Sequence, residues 1–304
     1  MPTLPDTIAN DTGFRPFRVR WSVLMTGLLV VAFGQGSAAA RFPGQPASGA
    51  PKGQPADTPA VRLDLEGLKA RLARDTGGEP PDLSRTDLSG LDLSGLDFKK
   101  ANLTGARFEN AKMAGANLFA CDLTDAILTG ADLTRANLDG TVLRRARLQR
   151  ANLQGASLFA TIIEAADLSG ANLSETRIIG YLRSANLSGA TIRNANAGAD
   201  PGNQSMGVMR ATFVGADLSG ADFSGTNLFK ADFSHANLSG AKLAGANLEN
   251  AELVQTDLTK ADVTGMRLSK ADLNEADFRG ATGVSLLKGL DEARNKDKAI
   301  FDAK

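Results

Sequence analysis

An apolar residue returns at every fifth position from Leu83 to Ile178, twenty consecutive times, and again from Phe213 to Phe278, fourteen consecutive times. An unpatterned chain that is 42% hydrophobic would break such a series within a few units. Period five fits neither regular element. An α-helix makes a turn every 3.6 residues, so these centres would smear around all of its faces. A flat strand would send alternate centres to opposite faces. A short strand followed by a turn, repeated, returns each centre to the same side. The Ser-Gly and Thr-Gly pairs that follow many centres, such as Ser89-Gly90 and Ser219-Gly220, are turn chemistry.

Two residues before each centre stands a small residue, alanine in 23 of the 34 units. Threonine takes most of the rest, with Leu91, Leu96, Cys121 and Met266 among the exceptions. A unit of five residues cannot bury its centre alone, so units must stack on one another, which makes the chain a solenoid. Stretches such as Ala131-Asp132-Leu133-Thr134-Arg135 and Ala246-Asn247-Leu248-Glu249-Asn250 resemble the pentapeptide-repeat family, A(D/N)LXX, residue for residue. The resemblance covers about two-thirds of the chain. It implies an all-β solenoid, a right-handed quadrilateral β-helix with four pentapeptides per coil. In that fold the centre and the small residue point inward and the other three positions face solvent. A narrow tube admits alanine at the small position where leucine would overfill it. Cys121 stands in that slot and is read as a buried alanine substitute.

The rest of the chain divides around residues 81–283. Residues 1–40 have the layout of a secretory signal peptide. Arg15, Arg18 and Arg20 precede an apolar run from Trp21 to Phe33, and Ala38-Ala39-Ala40 offers a cleavage site. The run is shorter than the roughly 20 residues a membrane span takes; an uncleaved anchor or a mis-chosen start is the alternative. Residues 41–60 read as a flexible linker rich in Pro, Gly and Ala. Residues 61–80 read as an N-terminal capping helix, with Val61, Leu65, Leu68 and Leu72 at helical spacing. Residues 284–304 read as a C-terminal helical cap, so that short helices cover both open ends, where unpaired backbone would otherwise be exposed.

One interruption falls at 196–210. After Ile178 the centres shift by one residue to Leu182, Leu187 and Ile192, and then the pattern fails. Either the coil continues through degenerate units, giving about ten coils, or about a dozen residues loop out of the tube. Pro201, Gly198, Gly202 and Gly207 favour the loop.

With a coil of twenty residues, the outward face can be read as ladders. Phe119 and Phe159 each follow a central leucine and share one face; Val142 and Ile162 stand around the adjacent corner where Asp or Asn is usual. Together they form a candidate apolar patch for a protein partner, although single exposed apolar residues are common on any protein. Arg144, Arg145, Arg147 and Arg150 point outward beside it, as a contact for an acidic partner or simply as a solvated face. Asp232, Glu252 and Asp272 make an acidic ladder. Catalytic, metal-binding and cofactor-binding residues are all read as none: the single histidine, His235, has no matched nucleophile, and no metal-ligand spacing or phosphate loop occurs.

These readings point to a non-catalytic, extracytoplasmic interaction or scaffold protein, periplasmic or secreted from a bacterium. It would use a protein partner, with no small-molecule substrate, no direct nucleic acid and no stable membrane anchor once the leader is removed. A homodimer through the C-terminal apolar segments is possible. The alternative follows from the resemblance: some family members mimic B-DNA and bind DNA gyrase. That reading calls for a continuous acidic surface and a cytoplasmic location, whereas here charges alternate and the leader points outward.

Overall fold

The structure is a computed structural model that describes residues 61–74, 77–199 and 209–303. These belong to one compact unit; the leader and linker expected over 1–60 lie outside the described residues. Four columns of parallel bridges begin at Asp82, Asp87, Asp92 and Asp97, and each pairs residues 20 apart, as in Asp82↔Asn102 and Asp97↔Asn117. Each coil therefore has four sides, one pentapeptide to a side. We number the sides first to fourth from these columns. The chain is a parallel β-helix with four-sided coils.

The local chemistry explains the repeat. The Asp or Asn before each centre accepts the backbone N–H two residues on, as Asp82 Oδ1 does from Ser84 N at 3.0 Å, which pre-forms the turn. Asparagine in that place also donates down the column, as from Asn137 Nδ2 to Asn117 Oδ1 at 3.1 Å. The second residue after the centre has positive φ, for example 66° at Gly105, a conformation that glycine adopts without strain. The next N–H then closes the turn on the centre's carbonyl, as Ala106 N does on Leu103 O at 2.9 Å.

The centres fill the tube and are fully buried from Leu83 to Phe278. Each buried leucine contributes about 1.5–3 kcal/mol before entropy is counted. Where phenylalanines replace leucine they stack, Phe213 on Phe233 at 4.8 Å with Phe223 edge-on at 6.0 Å. Threonine substitutes for alanine in the narrow slot because its hydroxyl finds a carbonyl there, as Thr141 Oγ1 finds Leu118 O at 2.8 Å and Thr256 Oγ1 finds Phe233 O at 2.9 Å. Cys121 lies in the same slot at 1% exposure.

The interruption shows as a change of column spacing, and residues 200–208 lie outside the described residues. The column spacing falls to 19 at Arg177↔Asn196 and rises to 31 at Asn196↔Asn227. Asn196 and Ala197 stay in the ladder, with Ala197 fully buried as a centre, so the departure begins later than residue 196. Ala199 still holds a regular turn position, its N–H donating to Phe229 O at 2.8 Å. Ala211 resumes the small slot at full burial.

Both ends differ from two plain helical caps. At the N-terminus β1 (Val61–Arg62) pairs in parallel with β2 (Thr86–Asp87), so Val61 is strand and not helix. The helix α1 (Leu65–Ala73) starts after Asp64, which caps it by accepting from Gly67 N at 2.7 Å. Leu68 and Leu72 of α1 are buried against the core. Lys99 Nζ donates to the last-turn carbonyl of Leu72 at 3.1 Å, a favourable place for a cation. At the C-terminus the helical cap expected over 284–304 is absent among the described residues. The chain instead winds on, bridging Asp262↔Thr282, Arg267↔Lys288, Asp272↔Arg294 and Asp277↔Ile300. The upper partners are now six residues apart, and the extra residue in each side goes into a wider turn. Two of these turns are short 3₁₀ segments, Val284–Leu286 and Lys296–Lys298. Phe301 stacks on Phe278 at 5.0 Å.

Candidate functional site

Two departures from the regular repeat fall at one corner, between the fourth side of one coil and the first side of the next. On one coil β3 (Ser157–Ile162) passes the corner with the usual turn residue, Ala160 at φ 56°. On the following coil β4 (Arg177–Tyr181) pairs with β3 in parallel, and the register slips between Phe159 and Thr161 because one residue is missing. Gly180 takes the small slot there, with its carbonyl accepting from Thr212 N at 3.0 Å. On the coil after that, eleven residues stand between Ala199 and Ala211, matching the column spacing of 31 in place of 20.

The same corner carries the outward apolar side chains. Val142, Ile162 and Tyr181 succeed one another in the first-side column, joined by the bridge Val142↔Ile162 and the pairing Ile162↔Tyr181. Tyr181 is 51% exposed. Phe159 stands on the fourth side of the same corner, half-buried, with the Arg177 guanidinium 4.2 Å from its ring centre. Ile179, the residue left at the shortened corner, is 2% exposed. Phe119 lies in the Phe159 column two coils away and is 44% exposed, with the Lys100 ammonium 5.8 Å from its ring. Asp139 separates the two rings and is itself engaged by Phe159 N at 2.9 Å and Ser157 Oγ at 2.5 Å. The structure thus groups Phe159, Val142 and Ile162 with Tyr181 and sets Phe119 apart. Tyr181 and Ile179 escape a fixed count of fives, since the missing residue shifts them out of register. Counting back from Leu182 as a centre would have found Tyr181.

The four arginines divide. Arg144 Nε bonds Glu164 at 3.1 Å one coil up, and Arg145 Nη2 bonds Asp125 at 2.6 Å one coil down. The hydrogen bond to Asp125, then its charge, raises the pKa of Arg145. Arg147 and Arg150 lie exposed on the second side, with no ion pair among the described residues. The acidic ladder is threaded by cations: Arg210 reaches Asp232 at 2.9 Å and Glu252 at 3.9 Å, and Arg294 reaches Glu252 at 3.6 Å and Asp272 at 3.7 Å.

Among the described residues no group of three His, Cys, Asp or Glu is placed to hold a metal ion, and no helix is long and apolar enough to cross a membrane. Burial pushes the Cys121 thiol up to about 12, so it is a poor nucleophile at neutral pH.

Comparison with known proteins gives the following. The family profile for pentapeptide repeats matches eight copies, over residues 82–118, 121–158, 151–180, 209–245, 236–274 and 246–282. No curated protein matches the chain. Among solved structures, HetL, a pentapeptide repeat protein involved in heterocyst differentiation regulation from the cyanobacterium Nostoc sp. strain PCC 7120, is 29% identical. The match covers 78% of this chain and 94% of HetL, with a TM-score of 0.42. A pentapeptide repeat protein from the Arabidopsis thaliana thylakoid lumen is 30% identical over 41% of this chain and 70% of its own, with a TM-score of 0.26. QnrB1, a plasmid-mediated fluoroquinolone resistance protein, is 14% identical over 71% of this chain and 86% of its own, with a TM-score of 0.33.

Proposed function

Because the chain belongs to the pentapeptide-repeat family, we propose that it is a non-catalytic, extracytoplasmic scaffold that binds a protein partner along one edge of its rod. The rod is about ten right-handed coils, closed at its N-terminal end by α1. The observation that carries this reading is the column Val142, Ile162, Tyr181 with Phe159 beside it, at the corner where the mid-rod repeat loses one residue. Val142, Ile162 and Tyr181 stand where Asp or Asn adds a hydrogen bond to the turn, and they forgo that bond to present apolar surface. Contiguous outward apolar side chains rimmed by arginines are what a protein interface needs, with anchors at the centre and charge at the margin. The leader-like layout of residues 1–40 supports delivery out of the cytoplasm.

The acidic ladder offers little to the DNA-mimic alternative, because Arg210 and Arg294 pair with it. The test is chemical cross-linking and co-purification from the native cell envelope, comparing wild type with a Phe159→Asp/Tyr181→Asp variant. A partner that is captured by wild type and lost from the variant, with the fold intact by circular dichroism, is the expected result. Capture unchanged by both substitutions would remove the edge from consideration. Recovery of the full-length chain in the cytoplasmic fraction would overturn the location.

A further inference from the structure

A second feature of the same corner, several coils further along, has no part in that reading. There a groove of about 720 Å³ is lined by Arg210, Lys230, Asn250, Glu252, Lys270 and Arg294; with Asp232 and Asp272, which the arginines also reach, the corner has four cations to three carboxylates. Lys230, Asn250 and Lys270 hold the same turn position on three successive coils, so their backbones rise in steps of about 4.8 Å. Neither lysine is in an ion pair among the described residues. Lys230 Nζ lies 5.3 Å from the Phe229 ring centre, and the Asn250 side chain makes no hydrogen bond among the described residues.

The two arginines are held in place. Arg210 donates to Asp232 Oδ2 at 2.9 Å and to Lys230 O at 3.4 Å. Arg294 donates from Nε to Lys270 O at 3.3 Å and sits near Glu252 and Asp272. Their guanidinium groups converge on one oxygen of Glu252, Arg210 at 3.9 Å and Arg294 at 3.6 Å, so each is held as a planar fork of N–H donors. Relieving the acidic ladder accounts for the arginines and leaves both lysines unexplained. Surplus cations spaced along an axis, with an amide donor between them, match an anion that carries charge along its length. A single carboxylate would satisfy one end only.

We propose that this groove binds a small linear polyanion of the condensed-phosphate class, laid along the corner. Lys230 and Lys270 neutralise its charge and the Asn250 amide donates between them, while Arg210 and Arg294 offset the carboxylates of the ladder beside it. The proposal stands independently of the protein-binding edge, and its test uses no partner. Calorimetric titration of the purified protein with sodium tripolyphosphate, orthophosphate and citrate reads it directly. The expected result is saturable binding of one tripolyphosphate per chain, about tenfold or more tighter than orthophosphate or citrate. A Lys230→Gln/Lys270→Gln variant is expected to lose about tenfold or more in affinity while keeping an unfolding midpoint close to wild type without ligand, since neither lysine is in an ion pair among the described residues and the Lys230 ammonium has only its contact with the Phe229 ring. An Arg147→Gln/Arg150→Gln variant, which removes exposed cations from the second side, is expected to bind as wild type does. Absence of saturable binding overturns the proposal. So does an equal loss in the two variants, which would make the attraction diffuse, or equal affinity for the three anions. A single-stranded oligonucleotide that binds more tightly than tripolyphosphate through the same lysines would also overturn it, by assigning the groove to nucleic acid.

Discussion

A Cβ on Gly180 would lie 2.4 Å from the carbonyl oxygen of Thr161 and 3.1 Å from its nitrogen. The obstruction is backbone from the neighbouring strand, paired with Gly180 in register, so no rotamer change relieves it. Its origin is the missing residue between Ile178 and Leu182, which draws the shortened corner against the coil below. Gly180→Ala is therefore expected to destabilise the protein by about 1–3 kcal/mol, as overpacking does. Gly220→Ala tests the other cost: Gly220 has φ 65° and open space around it, so only the left-handed strain of about 1–2 kcal/mol applies. Urea unfolding of the two variants checks this. A Gly180→Ala variant as stable as wild type would mean that the corner yields, and the tight pairing of β3 and β4 would be wrong.

The narrow slot gives a second prediction. Ala136 is 1% exposed in mid-tube, and leucine there has no room. Ala136→Leu is expected to cost about 1–3 kcal/mol or more, seen as a lowered thermal midpoint. Leu91 and Leu96 stand in the same slot on the first coil and remain only partly buried, because the tube is not closed by a further coil there. Leu91→Ala is accordingly expected to have a smaller effect than truncation of a mid-tube centre such as Leu138, where Leu→Ala costs about 2–5 kcal/mol.

These contrasts indicate how much could be read from the chain alone. The inward positions were legible because one steric rule, an apolar centre with a mostly small residue two before it, runs through the two blocks Leu83–Ile178 and Phe213–Phe278. Pairs such as Arg145–Asp125 and Arg144–Glu164 follow once the coil is twenty residues long, since residues so spaced are stacked neighbours. The apolar edge was half legible: Val142, Ile162 and Phe159 stand in register, while Tyr181 is hidden by the one-residue slip. The C-terminal coil was not legible, because its spacing changes from five to six. Val284, Leu287 and Leu290 at intervals of three resemble a helix more than a wider turn. The pairing of Arg210 and Arg294 with the acidic ladder was hidden by the eleven extra residues in one case and the six-residue spacing in the other.

Asp222 gives a prediction about acid. Burial pushes its carboxyl up, but hydrogen bonds from Arg193 and Ser224 and the Arg193 charge outweigh burial and hold it below the ordinary carboxylate range. A group with a lowered folded pKa adds stability that is present above its unfolded value, near 3.9. That stability is lost as pH falls through the folded value. Asp82, Asp87 and Asp277 are lowered as well, so wild type should lose stability steadily in that window. Asp222→Asn is expected to be less stable than wild type near neutrality and to lose less on acidification. Urea midpoints measured from about pH 6 to about pH 2.5 check it; parallel curves for the two proteins would show that Asp222 is not a contributor.

The arginines on the acidic ladder lead to a prediction whose sign depends on salt. Asp232, Glu252 and Asp272 lie in one column, about 4.8 Å apart in their backbones. In wild type Arg210 and Arg294 sit among them, so the local interactions are net attractive. Salt screens attractions between exposed charges, so added salt should weaken this region slightly. In an Arg210→Ala/Arg294→Ala variant the three carboxylates face one another without the two cations paired to them, and the interactions among them become repulsive. Salt now screens a repulsion, so the variant should gain stability where wild type does not. The arginine side chains are 31% and 53% exposed, so the change at low salt is expected to be modest, about 1 kcal/mol or less per pair. The slope against salt is the sharper observable. Thermal midpoints of both proteins, measured in sodium chloride from about 0.02 M to about 0.5 M, are expected to converge as salt rises. A constant gap would mean that the arginines act by packing their stems against the tube and that their charge has no role.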